Sequence, residues 1–541
     1  MLANPHRLLT VLYPDPEHAA REEQRERDEL AAIKTTLSPS ELKAVDERAG
    51  ALEAAQGQPN SPAALATLPR LRRSDLPDAP REIPHSLENM AGFPVLRSDV
   101  FSNGVAYLQA AVDVRDLPPH LWKFLPRYTD AVDKIGAAGQ SWEQIAARRA
   151  AVTGDLGSRF SAQLHAETGA PVVDMGFQLK TLDSDMDAAF DLLADLVFEL
   201  EPGDQARLRE MQTQSVAYYR SQLVNDPLGA AVVAAARSQT PVGWLHYLWN
   251  SPLTYDWVCH LADDFEGHAG ELIESITAVR DFLHDRARWT WSFTGSDEAF
   301  KRLEAKLGEW RDRLGERPIA DSQPVAGSGI WDGGRELHTL LGLAAPLDVQ
   351  YCTTVFPIPA REVLPVVDLG LSLLNFDYLL PELRFRGNAY GGGHGLHAAR
   401  GIGMLYSYRD PHLNETLRVF EGAAAWVEAQ HWTADDLERA LLGNVRDAVP
   451  AIRPADATGT VLDRLRRGES AARRARDYRQ KLAATPAAVQ SALLSYLADA
   501  LPRGATAVAA SRAALERANT QRSEAGMSPL VIEEMLPSHH A

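Results

Sequence analysis

The chain has 541 residues, 45% apolar, 24% charged and 7% aromatic, and its formal charge is −18. That length exceeds what one hydrophobic core sustains, so two or more domains are expected. The acidic balance argues against a nucleic-acid binder, which would carry a basic stripe, and no apolar run is long enough to cross a bilayer.

The opening MLANPHRLLTVLYPDPEH has a short apolar part closed by Pro-Asp-Pro, unlike a secretory leader, so a cytoplasmic protein is expected. Its residues 6–14 read as one strand, rich in Leu, Thr, Val and Tyr. A strand is not stable alone, so residues 1–14 read as the remnant of a preceding domain. Residues 15–58 form a charged helical hairpin. Ser38 caps the second helix, Pro39 takes its first position and Glu41 completes a capping box. Leu30, Ile33 and Leu37 mark one apolar stripe, and Leu42, Val45, Ala49 and Leu52 the other; the two are expected to pack together. Residues 59–85 are a proline-rich linker.

Residues 86–318 mix hairpin-like strands with long helices. SNGVAYLQAAVDV is a strand after an Asn-Gly turn, SRFSAQLHA and PVVDMGFQLKT are strands, helices fill 184–240, and RWTWSFTG is a further strand. This is an α+β pattern, not regularly alternating βαβ. Residues 319–334 form a second linker. Residues 335–541 repeat the theme: the strand LDVQYCTTVFPIP precedes a proline-containing helix, as VAYLQAAVDV does, a weak internal repeat. After the strand GIGMLYSY, Asp410 is expected to cap a helix with Pro411 at its first position and a buried face of Leu413, Leu417, Phe420, Ala424 and Val427.

The segment RFRGNAYGGGHGLH, Arg384 to His397, concentrates glycine among polar groups. His394 and His397 have ligand spacing only on a helix, and GGGHG is a poor helix. No H-E-x-x-H or H-x-x-E-H occurs in the chain, and neither a P-loop nor a G-x-S-x-G is present. Cys259 and Cys352 form no C-x-x-C pair, favour a reducing compartment, and read as buried small hydrophobes. What remains is a polar strand. Arg384 and Tyr390 are six apart, which puts them on one face of an unbroken strand, and glycines beside them leave room for another backbone. An arginine and a tyrosine hydroxyl there can donate to a peptide carbonyl or its oxyanion. The alternative is an exposed hairpin with a surface arginine and a half-buried tyrosine.

RFRGNAYGGGHG followed by YSYRDPHLNETLRVFEG resembles the C-terminal half of the pitrilysin/insulinase family of zinc metallopeptidases, and most of all its presequence protease branch. NPHRLLTVLYPDPE resembles the last strand before that branch's linker, ALEAAQGQPNSPAALATLPRL the end of its helical-hairpin linker, and SNGVAYLQAAVDVRDLP the opening strand of its third domain. The matches run in family order over almost the whole chain. The resemblance implies two tandem pitrilysin/insulinase-like α+β domains, the third (86–318) and the fourth (335–541), behind the hairpin linker. In such enzymes the N-terminal half carries H-x-x-E-H, the zinc and the general base, while the C-terminal half supplies an arginine and a tyrosine to the substrate. Carried over, these are Arg384 and Tyr390, with Arg386 the rival arginine; His394 and His397 match no ligand.

The zinc half is not in this sequence, so Met1 reads as an internal residue or a secondary start. The resemblance therefore implies no catalytic residue, metal or cofactor in this chain, and as partners a catalytic half, in trans or as the missing N-terminal part, and unfolded peptide substrates. Alternatives are a non-enzymatic assembly subunit of the same fold and an inert C-terminal fragment.

Overall fold

The computed structural model describes residues 8–536 apart from 9, 12, 14, 16, 58–60, 69–70, 321–338 and 447–450. The expected strand over 6–14 and linker over 319–334 lie largely outside the described residues. The chain divides into two compact units, Met1–Leu71 and Arg72–Ala541.

In the first unit, helices His18–Thr36 and Pro39–Gly57 meet at Ser38. Glu41 Oε2 accepts the Ser38 backbone N–H at 2.8 Å while Ser38 Oγ accepts from Glu41 N at 3.3 Å, the reciprocal capping box read from the sequence. Bonds to the Glu41 carboxylate from the Ser38 hydroxyl, at 2.7 Å, and from the Ser38 N–H favour its ionised form and lower its pKa. The apolar stripes, however, do not close on each other: Leu30, Ile33, Val45 and Leu52 are 48–59% exposed. Both helices are dominated by charged residues and alanine, and the apolar area along each stripe is too thin to hold the pair together.

The second unit is built on two six-stranded sheets. The first contains β1 (His85–Met90), β2 (Phe93–Ser98), β3 (Val105–Asp113), β4 (Asp155–Leu164), β5 (Pro171–Leu182) and β6 (Trp289–Thr294), in the order β1-β2-β6-β3-β5-β4. The second contains β7 (Leu340–Ala344), β8 (Gln350–Pro357), β9 (Gly391–His397), β10 (Ile402–Asp410), β11 (Ala505–Ala510) and β12 (Val531–Glu534), in the order β12-β7-β11-β8-β10-β9. The repeat holds in topology from β2 and β7 onward. The first strand lies parallel to the fifth in both sheets, β2 to β6 and β7 to β11, and the remaining pairs are antiparallel. Only the outer edge strand differs: β1 runs antiparallel to β2, β12 parallel to β7. Asn103 and Gly104, both at positive φ (53° and 75°), make the tight turn into β3 that the Asn-Gly pair announces.

The sheets are locked by exchanged helices. Helix Pro227–Ala236, from the stretch between β5 and β6, lies on β8 and β11 of the second sheet. It is apolar on all sides, and Ala231, Ala234 and Ala235 meet Ala505, Ala507 and Ala509, so small side chains let helix and sheet approach closely. In return, helix Pro454–Arg466, from the stretch between β10 and β11, covers β2, β3 and β6 of the first sheet. This explains WTWSFT, a strand buried at all six positions. Trp289, Trp291 and Phe293 enter the first core, while Ser292 and Thr294 on the opposite face bond Thr458 of the crossing helix.

The helix running through Leu364–Arg386 has the length and mean hydropathy of a membrane span. Its apolar side chains instead fill the second core, where Val367, Leu371, Leu374, Leu379 and Leu383 pack with Phe356, Leu405 and Leu493.

Candidate functional site

The Arg384–His397 segment is not one strand. The helix that begins at Leu364 continues in wide π-type turns, Asn375–Leu379 and Pro381–Arg386. Pro381 has no N–H and its ring would clash with the carbonyl four residues back, so a regular α-turn is disfavoured there. The helix ends where Gly387 N–H donates to Glu382 O at 2.9 Å, five residues back, and Asn388 turns the chain at φ 57°. The six-residue spacing of Arg384 and Tyr390 therefore does not place them on one strand face. Arg384 sits on the last helical turn, and Tyr390 immediately precedes β9. What the structure brings together is a helix end and a strand start, joined by a four-residue corner.

Both side chains face solvent. Arg384 is exposed and makes no ion pair among the described residues, whereas its rival Arg386 pairs with Glu382. Tyr390 is 69% exposed; its N–H donates to Arg409 O at 3.2 Å, and its ring packs edge-on against Tyr408 with centroids 6.0 Å apart. Tyr408 in turn meets Tyr351 edge-on at 5.2 Å. Arg409 lies 5.9 Å from the Tyr390 ring centroid and 5.7 Å from that of Tyr408. It can do so because β10 bulges between Ser407 and Asp410, with Arg409 at φ 50°. The sequence reading missed Tyr351, Tyr408 and Arg409. Its only available signal was the alternation in YSYRD, which pairs Tyr408 with Gly391 and Tyr406 with Gly393.

Asp410 does not cap a helix starting at Pro411. It is the buried last residue of β10, and its carboxylate accepts from His412 N at 2.8 Å and Thr416 Oγ1 at 2.7 Å. The helix begins at Asn414 and buries Leu417, Phe420, Ala423 and Val427, so the expected face is shifted from Ala424 to Ala423.

The glycines serve first the protein itself. A Cβ at Gly392 would lie 2.5 Å from Leu383 Cδ1, and one at Gly393 2.8 Å from Asn375 Oδ1, so both let the 364–386 helix lie against β9. Gly391 alone faces open space. Among the described residues β9 is also the end strand of its sheet, with one backbone edge unpaired. His394 stands opposite Leu405; burial lowers its pKa, and its buried Nδ1 has no hydrogen-bond partner among the described residues. Among the described residues no three His, Cys, Asp or Glu side chains converge as a metal-binding group. Cys259 and Cys352 are both buried and free, and burial pushes both thiols up, which suits packing rather than nucleophilic attack.

The crystal structure of a peptidase M16 inactive domain from Pseudomonas fluorescens superposes on this chain with a TM-score of 0.56 at 15% identity, covering 83% of this chain and all of that one. The fold is thus that of the M16 inactive domains. The family of domains associated with M16 peptidases of subfamily C matches residues 12–261, and the presequence protease (PreP) C-terminal domain family matches residues 365–488, the stretch that holds Arg384 and Tyr390. Presequence protease 1 of Arabidopsis thaliana is 24% identical over 466 residues, 85% of this chain and 42% of that protein. The mitochondrial presequence protease of Xenopus laevis is 23% identical over 480 residues, 84% of this chain and 46% of that protein. The chain spans less than half the length of these relatives. In sequence and fold it is similar to the C-terminal half of M16 peptidases of presequence-protease type.

Proposed function

We propose that the chain is the substrate-binding half of a peptide-degrading zinc endopeptidase and works with a half that carries H-x-x-E-H, supplied in trans or as an N-terminal part. The observation that carries this is the corner at residues 384–390. There, among the described residues, a guanidinium without an ion pair and an exposed phenol sit beside an unpaired, glycine-rich strand edge. Exposed donors without internal partners are poorly explained by folding and well suited to a carbonyl that gains negative charge in the transition state. The free edge of β9 can hydrogen-bond an extended backbone. In this reading zinc and the general base come from the other half, and the substrates are unfolded peptides. Two buried, unpaired cysteines fit a reducing, cytoplasmic setting, which is part of the same proposal.

The test is reconstitution. The chain is combined with a catalytic half carrying H-x-x-E-H, and turnover of a quenched fluorescent peptide is followed. Arg384→Ala and Tyr390→Phe are each expected to lower kcat by about 10²–10³-fold, the usual loss for an oxyanion donor, while Arg386→Ala changes it little. Full activity in both variants would sink the assignment.

A further inference from the structure

At the other end of β9 the structure holds a second polar feature. A cavity of ≈440 Å³ lies between helices Gln205–Asn225, Pro227–Ala236 and Pro241–Trp249 and the β9–β10 turn. Its lining includes His246, His397 and Arg400, with Tyr218, Gln222 and Asn250. The turn is fixed from both sheets: Leu164 N–H donates to Ala399 O at 2.7 Å, Thr240 Oγ1 donates to Arg400 O at 3.0 Å, and Gly401, at φ +71°, lies so close to Leu164 that a Cβ would meet its Cδ1 at 2.5 Å. The cavity is therefore built into the interlock of the two sheets and is not a loose loop.

Its electrostatics are one-sided. Arg400 is half-buried and makes no ion pair among the described residues; burial lowers its pKa and no carboxylate offsets this. His246 Nε2 contacts Ala162 O at 3.2 Å, which fixes the N–H there and leaves Nδ1 as an acceptor. Burial and the Arg400 charge push His246 down to about 4, and the same two causes lower His397. The one lining carboxylate, Asp226, is engaged at a helix N-terminus, where its Oδ1 accepts from Gly229 N at 2.9 Å. Arg400 is thus the one cation of the lining, partly desolvated and with no ion pair among the described residues, and the His397 imidazole and the Gln222 and Asn250 amide NH₂ groups can add donors beside it.

We infer that the cavity formed by His246, His397 and Arg400 is a carboxylate-binding subsite for an extended peptide, taking its C-terminal carboxylate or an acidic side chain. The inference rests on the peptide-binding reading of β9. β9 spans Gly391–His397, so a peptide along it would run roughly 20 Å from the Arg384/Tyr390 corner to this anchor.

The test uses the full chain with ¹³C-labelled histidine. Ac-Ala-Ala-Ala as free acid and as amide, and Ac-Ala-Glu-Ala-NH₂ against Ac-Ala-Gln-Ala-NH₂, are titrated while the His246 and His397 imidazole signals are followed. The acid of at least one pair should bind about tenfold tighter than its neutral partner and raise the His397 pKa. The pair that does so tells a terminal carboxylate from a side-chain one. Arg400→Gln should abolish the preference, and Arg400→Lys should restore part of it. Equal binding of acid and neutral partner, no binding of either, or an undiminished preference in Arg400→Gln would each overturn the subsite. The outcome is separable from the catalytic reading: a preference lost in Arg400→Gln stands even if Arg384→Ala and Tyr390→Phe leave turnover intact, and the reverse pattern removes only the subsite.

Discussion

Thr294 and Thr458 share a buried hydroxyl–hydroxyl bond of 2.7 Å although 164 residues separate them. It joins β6 of the first sheet to the helix that crosses over from the second, and Thr458 O accepts from Ser292 Oγ at 2.8 Å beside it. Thr458→Val keeps the shape and the carbonyl but leaves the Thr294 hydroxyl unsatisfied. The expected cost is about 1–3 kcal/mol, read as a lower urea midpoint. Thr294→Val/Thr458→Val should cost less than the sum of the single changes, because the paired loss removes the orphan. Strict additivity would show that the bond contributes nothing.

The same crossing helix ends in Arg466, which reaches two carboxylates of the first sheet. Its Nη2 lies 2.8 Å from Asp113 Oδ2 and 2.6 Å from Asp174 Oδ1. For Asp113 burial is the largest influence and pushes its pKa up, but Arg115 and Arg466 together hold it below the ordinary value. Burial pushes Asp174 above its ordinary value, against the pull of Arg466 and, more weakly, of Arg115. Arg466→Ala strips the buried Asp174 of its ion pair and leaves Asp113 to Arg115, a loss of about 3–5 kcal/mol at neutral pH. In that variant the folded pKa of Asp174 rises further above the unfolded one, so the folded state binds a proton more tightly there and this stability falls as pH rises through the carboxylate range. The variant should therefore lie closer to wild type at pH 4 than at pH 7 in chemical denaturation. An equal deficit at both pH values would contradict the ion-pair account.

The glycines of β9 can be separated by substitution. Gly392→Ala places a methyl 2.5 Å from Leu383 Cδ1 and 3.0 Å from Tyr406 O. Overpacking of this kind costs about 1–3 kcal/mol, and relief would move the helix end that carries Arg384. Gly391→Ala enters open space and should change stability by less than about 0.5 kcal/mol. Thermal melting of the two variants checks this, and similar melting temperatures would show that helix and strand are not in the contact described.

Burial controls thiol reactivity. Cys352 is fully buried and Cys259 is 4% exposed, with both thiols pushed up. The native chain should resist a water-soluble disulfide reagent at pH 8, and unfolding should release both thiols to it. Rapid labelling of the native chain would count against the packing at β8 and at helix Pro252–Asp263.

Local features were legible where chemistry acts over a few residues. The Ser38/Glu41 box, the Asn103-Gly104 turn and the strand VAYLQAAVDV each appear where the sequence places them. Short-range bonds, turn chemistry and strand-favouring residues decide these without help from distant chain. The nature of Arg384 and Tyr390 as exposed donors beside glycine was also readable, and their residue types come from the sequence alone.

Their geometry was not. Six residues of even spacing suggest one strand face, but the apolar run from Leu364 supplies a helix that carries on through Arg384, because Leu379 and Leu383 gain a core to enter. The exchange of helices, the tyrosine ladder Tyr351–Tyr408–Tyr390 and the meeting of His246 with Arg400 join residues tens to hundreds of positions apart. No local propensity encodes such pairs. They follow from which sheet face each helix must cover to bury its apolar side, and that is settled only when both sheets are present together.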